Sequence, residues 1–384
     1  MKKYKNSIII MLVISFLQGL VFYSPVAALY RIEAGITLTQ MGIIDAISLI
    51  FSIGLELPLG LVTAKLGYKR MLVLCNIIFF AAKLVFWKAN SIGGFFAERI
   101  LMSFVLAGLS GCDTAYLYLC AGSERSHKIL SIWEAAAMCG MLCAGFAHSI
   151  FIGENYRLAG LLTAIAYGIA MMLTLLLKPM QMKHEDTVSI PLQLAALIAH
   201  YKANPRFSFY LISSAILMTV ENTIVIFLSQ LLYKRSGISV AFMGVLSVIV
   251  SVAGLIGAVS DKAAHRLGAK RFTGALFLLA SFCSVMLALR LSAVLTVAFI
   301  IAIRMAMSLY KPFYNYKQNE MAVGASRAVL LSGFSMQQSI TMGLVSMGIN
   351  AVADVSLSMS LLCCGALLLL AYALNKLSQR KVQL

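Results

Sequence analysis

Two residues of opposite charge interrupt long apolar runs of this 384-residue chain, Glu221 within 207–232 and Arg304 within 292–313. If those runs cross a bilayer, a charge near the centre costs at least about 2.5–3.5 kcal/mol, so it must face water, a ligand or a counter-charge. Both runs belong to the second half of the chain, so a Glu221–Arg304 pair across a cavity is geometrically possible. Glu221 is the candidate for loading and releasing a proton, and Arg304 is either its partner or a contact for an anionic ligand. Tyr210, Ser214 and Glu221 are spaced by four and seven, which puts them on one helical face as a candidate pathway lining. Asp113 is a candidate second site, with Arg99 fourteen residues earlier on roughly the same face. Gln18, flanked by Ser15 and Pro25, is a candidate polar contact opposite Gln338 and Ser335. The plainer alternative for each is that it ties helices together. Lys83 is expected to snorkel outward.

The elements that must position these residues are twelve apolar runs, near 7–30, 41–63, 71–89, 95–121, 129–152, 157–178, 207–232, 239–261, 272–289, 292–313, 328–350 and 353–376. A hydrocarbon core about 30 Å thick needs roughly 20 apolar residues per helix. The chain is 61% hydrophobic and 12% charged, with mean hydropathy +0.92. Soluble domains are about half apolar and about a quarter charged, so this composition excludes that class. The first run follows Lys2, Lys3 and Lys5 but is too long for a signal-peptide core, and is expected to remain as an anchor. All eight cysteines fall inside apolar segments without zinc spacing to histidine, and are expected to be packing residues.

The net charge of +17 is dispersed rather than gathered into a nucleic-acid patch. With the amino terminus in the cytoplasm, most Lys and Arg fall in inside segments, while Arg31, Lys88, Arg157, Lys234, Arg235 and Arg290 fall outside. That asymmetry predicts an even number of spans with both termini cytoplasmic. The longest polar stretch, 179–206, divides six runs from six. Each half carries a matching basic loop between its second and third run: Ala64-Lys65-Leu66-Gly67-Tyr68-Lys69-Arg70, and His265-Arg266-Leu267-Gly268-Ala269-Lys270-Arg271. An internal repeat of this kind marks folds with a site at the repeat interface.

On these residues the chain resembles the major facilitator superfamily over essentially its whole length. Gly60 through Lys69 is similar to the family signature G-x-x-x-D-R-x-G-R-K, with Ala64 where the family has an aspartate that latches neighbouring helices. Glu56-Leu57-Pro58-Leu59-Gly60 resembles the E-x-P-x-G of small bacterial exporters. Arg99, Ser110, Gly111, Asp113 and Ala115 match the same group's spacing, and Arg304, Pro312 and Arg327-Ala328 are similar to it as well.

The resemblance implies an all-α integral membrane protein with 12 transmembrane helices in two six-helix bundles, 1–178 and 207–384, joined by a cytoplasmic linker, 179–206. It implies a secondary transporter working by alternating access in the inner membrane as a monomer, with a small-molecule substrate, protons and lipid as partners. No cofactor, metal or nucleic acid is expected. Proton-coupled efflux of an amphiphilic compound or drug is the leading expectation, with Gly60, Lys65, Gly67, Lys69, Arg70, Arg266, Gly268, Lys270 and Arg271 governing cytoplasmic closure. Nutrient uptake is the alternative, because the glycine- and proline-rich antiporter signature is absent around Gly140 and Gly145. Gly108-Leu109-Ser110-Gly111 is similar to the G-x-S-G of rhomboid proteases. However, His148 is expected at the opposite depth, out of hydrogen-bond reach, and that argues against an intramembrane enzyme. No P-loop for ATP-driven pumping occurs.

Overall fold

Helices occupy each of the twelve apolar runs, as lipid requires of backbone groups that have no water to bond. The computed structural model describes residues 4–180, 198, 201–202, 204–321 and 327–378, and the expected linker at 179–206 lies mostly outside them. Among the described residues there is no strand. The spans are α1 (Lys5–Glu33), α2 (Leu38–Leu66), α3 (Tyr68–Lys88), α4 (Ile92–Ala121), α5 (Ser123–Ala147), α6 (Tyr156–Leu175), α7 (Pro205–Arg235), α8 (Val240–Ala253), α9 (Ala269–Leu287), α10 (Ala293–Met321), α11 (Arg327–Val355) and α12 (Leu357–Ser378). Among the described residues eleven helical segments are long and apolar enough to cross a membrane, and α11, a helix of 29 residues, occupies the remaining apolar run. The expected all-α membrane architecture is what the chain adopts.

The expected basic loops are each a single residue. Gly67, with φ of 81°, joins α2 directly to α3, and Gly268, with φ of 78°, joins the short helix Ser260–Leu267 to α9. A positive φ is open to glycine and costly to residues with a Cβ, so the repeat is conformational as well as ionic. Lys65, Arg70, Arg266, Lys270 and Arg271 are exposed on the flanking helical turns, and Lys69 is half-buried.

The chain divides into two compact units. The first contains Met1–Ile36, Ile47–Glu185 and Ser239–Val248, and the second contains Thr37–Ala46, Asp186–Ile238 and Ile249–Leu384. In the first, Met11, Met71, Leu72, Cys75, Tyr116 and Leu117 form a core between α1, α3 and α4. All eight cysteines are free thiols, five of them buried.

In the second unit α7 is the central helix: 78% of its most apolar stretch is buried, against 28–50% for the ten other spans of comparable apolarity. Any polar group on α7 must therefore find a partner inside the unit. The unit also holds the start of α2, where Asp354 of α11 accepts the Leu38 and Thr39 N–H groups at 2.8 and 2.7 Å. A carboxylate there satisfies donors that the first helical turn leaves unpaired and meets the positive end of its dipole.

Candidate functional site

Glu221 and Arg304 meet in the second unit, where Arg304 Nη1 donates to Glu221 Oε1 at 2.7 Å. The glutamate side chain is 9% exposed and the arginine side chain 36%, so the acid is buried while its partner reaches open space. That space is a cavity of about 750 Å³ walled by α7, α8, α10 and α11. On α10 the lining residues Arg304, Ser308, Lys311, Asn315 and Gln318 recur every three or four positions, so one face of a regular helix supplies them. Lys311 also acts electrostatically on Glu221.

Two departures from α geometry flank the pair. α7 turns into a π-helix over Thr223–Leu228, just past Glu221 and Asn222, and α8 tightens into a 3-10 helix over Gly254–Val259. π-segments inside helices occur disproportionately at functional sites. Gly254 lets the guanidinium pack close, because a Cβ there would lie 3.0 Å from Arg304 Nε and the side chain would have to give way.

Gln338 of α11 lines the same cavity. Its Oε1 accepts from Tyr314 at 2.6 Å, and its Nε2 faces the Met218 sulfur at 2.9 Å. Ser335 is also in the lining. Tyr210 and Ser214, by contrast, are buried in helix packing: Ser214 bonds Tyr310 at 2.6 Å, and the Tyr210 hydroxyl donates to the Phe313 carbonyl at 3.4 Å. Of the expected stripe on α7, only Glu221 opens on the cavity, since shared angular position along a helix does not specify what packs against it.

The remaining candidates lie in the first unit. Gln18 Nε2 donates to Asn76 Oδ1 at 2.9 Å. α4 breaks at Ser110–Gly111, where Gly111 is left-handed at φ 74°, so the register expected to align Arg99 with Asp113 does not carry through. Asp113 sits in the first turn of the second segment and accepts the Thr114 N–H at 2.6 Å. Ser110, at the break, donates to Glu56 at 3.2 Å, which joins two of the motif residues.

Two expectations for charged residues change, and one buried acid was not foreseen. Lys83 does not snorkel: it is 5% exposed, donates to Tyr23 Oη at 3.0 Å and lies 5.1 Å from the ring centres of both Phe79 and Tyr167. Cation–π attraction replaces the water that an ammonium would otherwise seek. Arg31, expected outside the spans, is buried at 5% beside Glu98, with Nη2 at 4.0 Å from Oε2. Glu98 itself, 2% exposed and also 3.8 Å from Arg99 Nε, escaped notice because an adjacent acid and base near a run's start look interfacial. His148 is wholly buried in a π-turn with Nδ1 at 3.0 Å from the Phe22 carbonyl oxygen.

A buried acid–base pair beside a polar cavity, within a bundle of membrane helices, is the kind of site through which polytopic membrane proteins pass a substrate or ion. The sequence profile of the Major Facilitator Superfamily matches residues 8–346, and the chain belongs to that family of small-molecule transporters. Among solved structures it resembles the nucleoside transporter NupG at 16% identity and a TM-score of 0.80, covering 97% of this chain and 99% of that one. It likewise resembles a bacterial homologue of the human lysosomal transporter Spinster, inward-facing and unoccupied, at 16% identity and 0.75, covering 99% and 98%. A D-xylose–proton symporter is similar at 14% identity and 0.70, covering 98% and 99%. No curated protein sequence matches the chain.

Proposed function

We propose that this transporter exports an amphiphilic compound or drug in exchange for protons. Two six-helix halves, 1–178 and 207–384, joined by the linker 179–206, expose a cavity alternately to each side of the cell's inner membrane. Both termini are cytoplasmic and the working unit is a monomer. Glu221 is the proton-responsive carboxylate and Arg304 its partner, Gln338 contacts cargo, and Asp113 and Gln18 serve the first half. Tyr210 and Ser214 support α10 from behind. The exposed cations around Gly67 and Gly268 govern closure of the cytoplasmic side.

One observation carries this reading: a nearly buried carboxylate bonded to a guanidinium that itself reaches a cavity large enough for a small molecule. A proton on Glu221 cancels the charge that holds Arg304, so proton binding and cavity chemistry are linked through one hydrogen bond. In proteoliposomes with an imposed pH gradient, Glu221→Gln should abolish proton-driven flux and leave downhill exchange in place. Equal driven flux in the two proteins removes Glu221 as the coupling site.

A second reading, uptake by symport or facilitated diffusion, is supported by helix α5, where Gly140 and Gly145 stand without a Gly-Pro pair. The D-xylose–proton symporter among the similar structures points the same way. Accumulation in inside-out rather than right-side-out vesicles supports export, and the converse supports uptake.

A further inference from the structure

Among the described residues, the wall around Glu221 carries more positive than negative charge. Arg304 carries five N–H donors in a planar fork. Among the described residues the hydrogen bond it makes is the one to Glu221, and its Nε is buried without a partner. Lys311 lies seven residues further on the same face of α10 and adds a second cation. Glu221 is the one acid among the described lining residues, so two cations share one counter-charge.

Gln338 adds a further donor. Tyr314 occupies its carbonyl oxygen, whereas its NH₂ is left with the sulfurs of Met218 at 2.9 Å and Met342 at 3.8 Å. Thioether sulfur is a weak acceptor, so that amide has more to gain from a ligand oxygen. Met218, Met307 and Met342 supply an adaptable apolar surface next to these donors.

We propose that the cargo is an organic anion whose carboxylate or phosphate monoester seats between Arg304 and Lys311, with its apolar part against the three methionines. This rests on the transporter reading above and names the chemical class of its cargo. A cationic amphiphile would meet an excess of positive charge on this wall, and a neutral one would offer the guanidinium only the weaker hydrogen bonds of uncharged acceptors. The anion also competes with Glu221 for Arg304, which gives the two residues opposite effects on affinity.

The test is calorimetric binding to the purified full-length protein of four probes that share one ring system: 1-naphthylacetate, 1-naphthyl phosphate, 1-naphthylacetamide and 1-naphthylmethylamine. At least one anion should bind about tenfold or more tightly than both the amide and the amine, the scale of a charge-assisted hydrogen bond. The acetate and phosphate arms identify which anionic group fits. Lys311→Gln should remove most of that margin while the amide's affinity stays within about twofold, and Lys311→Arg should keep the margin, the guanidinium preserving the charge. Glu221→Gln should tighten anion binding by removing the competitor. An amine or amide that binds as well as the anions, a margin indifferent to Lys311→Gln, or no binding by any of the four overturns the assignment. Loss of anion preference with intact proton-driven flux sinks this inference alone. Flux indifferent to Glu221→Gln with intact anion preference sinks the coupling reading alone.

Discussion

Replacing Arg304 by glutamine should destabilise the protein more than replacing Glu221 by glutamine, even though both changes break the same hydrogen bond. Removing one partner of a fully buried ion pair costs about 3–5 kcal/mol, mostly because the other charge stays buried and uncompensated. Here the two sides differ: the Glu221 side chain is 9% exposed and the Arg304 side chain 36%. Arg304→Gln strands the buried acid, with only the more distant Lys311 in support, and is expected to cost about 2 kcal/mol. Glu221→Gln leaves a cation that cavity water reaches, and is expected to cost about 1 kcal/mol. The double variant should lie close to Glu221→Gln alone, giving a coupling energy of about 1–2 kcal/mol. The assay is equilibrium unfolding of the purified protein in mixed micelles, for wild type, both single variants and the double variant. Acidification should shrink both deficits, because protonation removes the charge stranded in Arg304→Gln and, in the wild type, the ion pair that Glu221→Gln lacks. Equal costs for the single variants, or a coupling energy indistinguishable from zero, would refute the idea that this pair is held by burial on the acid side.

Other consequences are testable separately. Asp354→Ala should cost about 1 kcal/mol and speed hydrogen exchange at the Leu38 and Thr39 amides, whereas Asp354→Asn should retain most of the protection. Gly67→Ala and Gly268→Ala should each cost about 1–2 kcal/mol in thermal unfolding through the positive φ alone, since a new Cβ would meet only an ordinary contact with the Met180 carbonyl oxygen, 3.8 Å away, at Gly67 and nothing within 4 Å at Gly268. A fluorescent protein fused after Leu384 should fluoresce and a phosphatase fused there should stay inactive; an active phosphatase would place the carboxyl terminus outside.

Much of the architecture is legible in the residues alone because lipid imposes a simple rule. Each span must be a long apolar helix, so run lengths yield all twelve elements, and Gly67 and Gly268 mark the matching breaks. The isolated charges Glu221 and Arg304 stand out for the same reason, since bare charge in hydrocarbon is costly. What the residues cannot reveal is which face of a span looks inward, because lipid and protein interior are equally apolar and leave little amphipathic period to read. Tyr210 and Ser214 thus share a face with Glu221 yet end in packing against α10. Lys83 finds an aromatic ring of partners in place of the interface, and Arg31 and Glu98, 67 positions apart, become neighbours. The break of α4 at Gly111 likewise depends on a backbone conformation that glycine permits without demanding. Chemistry along the chain determined that Glu221 and Arg304 must be sheltered; only helix packing decided that they shelter each other, at 2.7 Å across 83 positions of sequence.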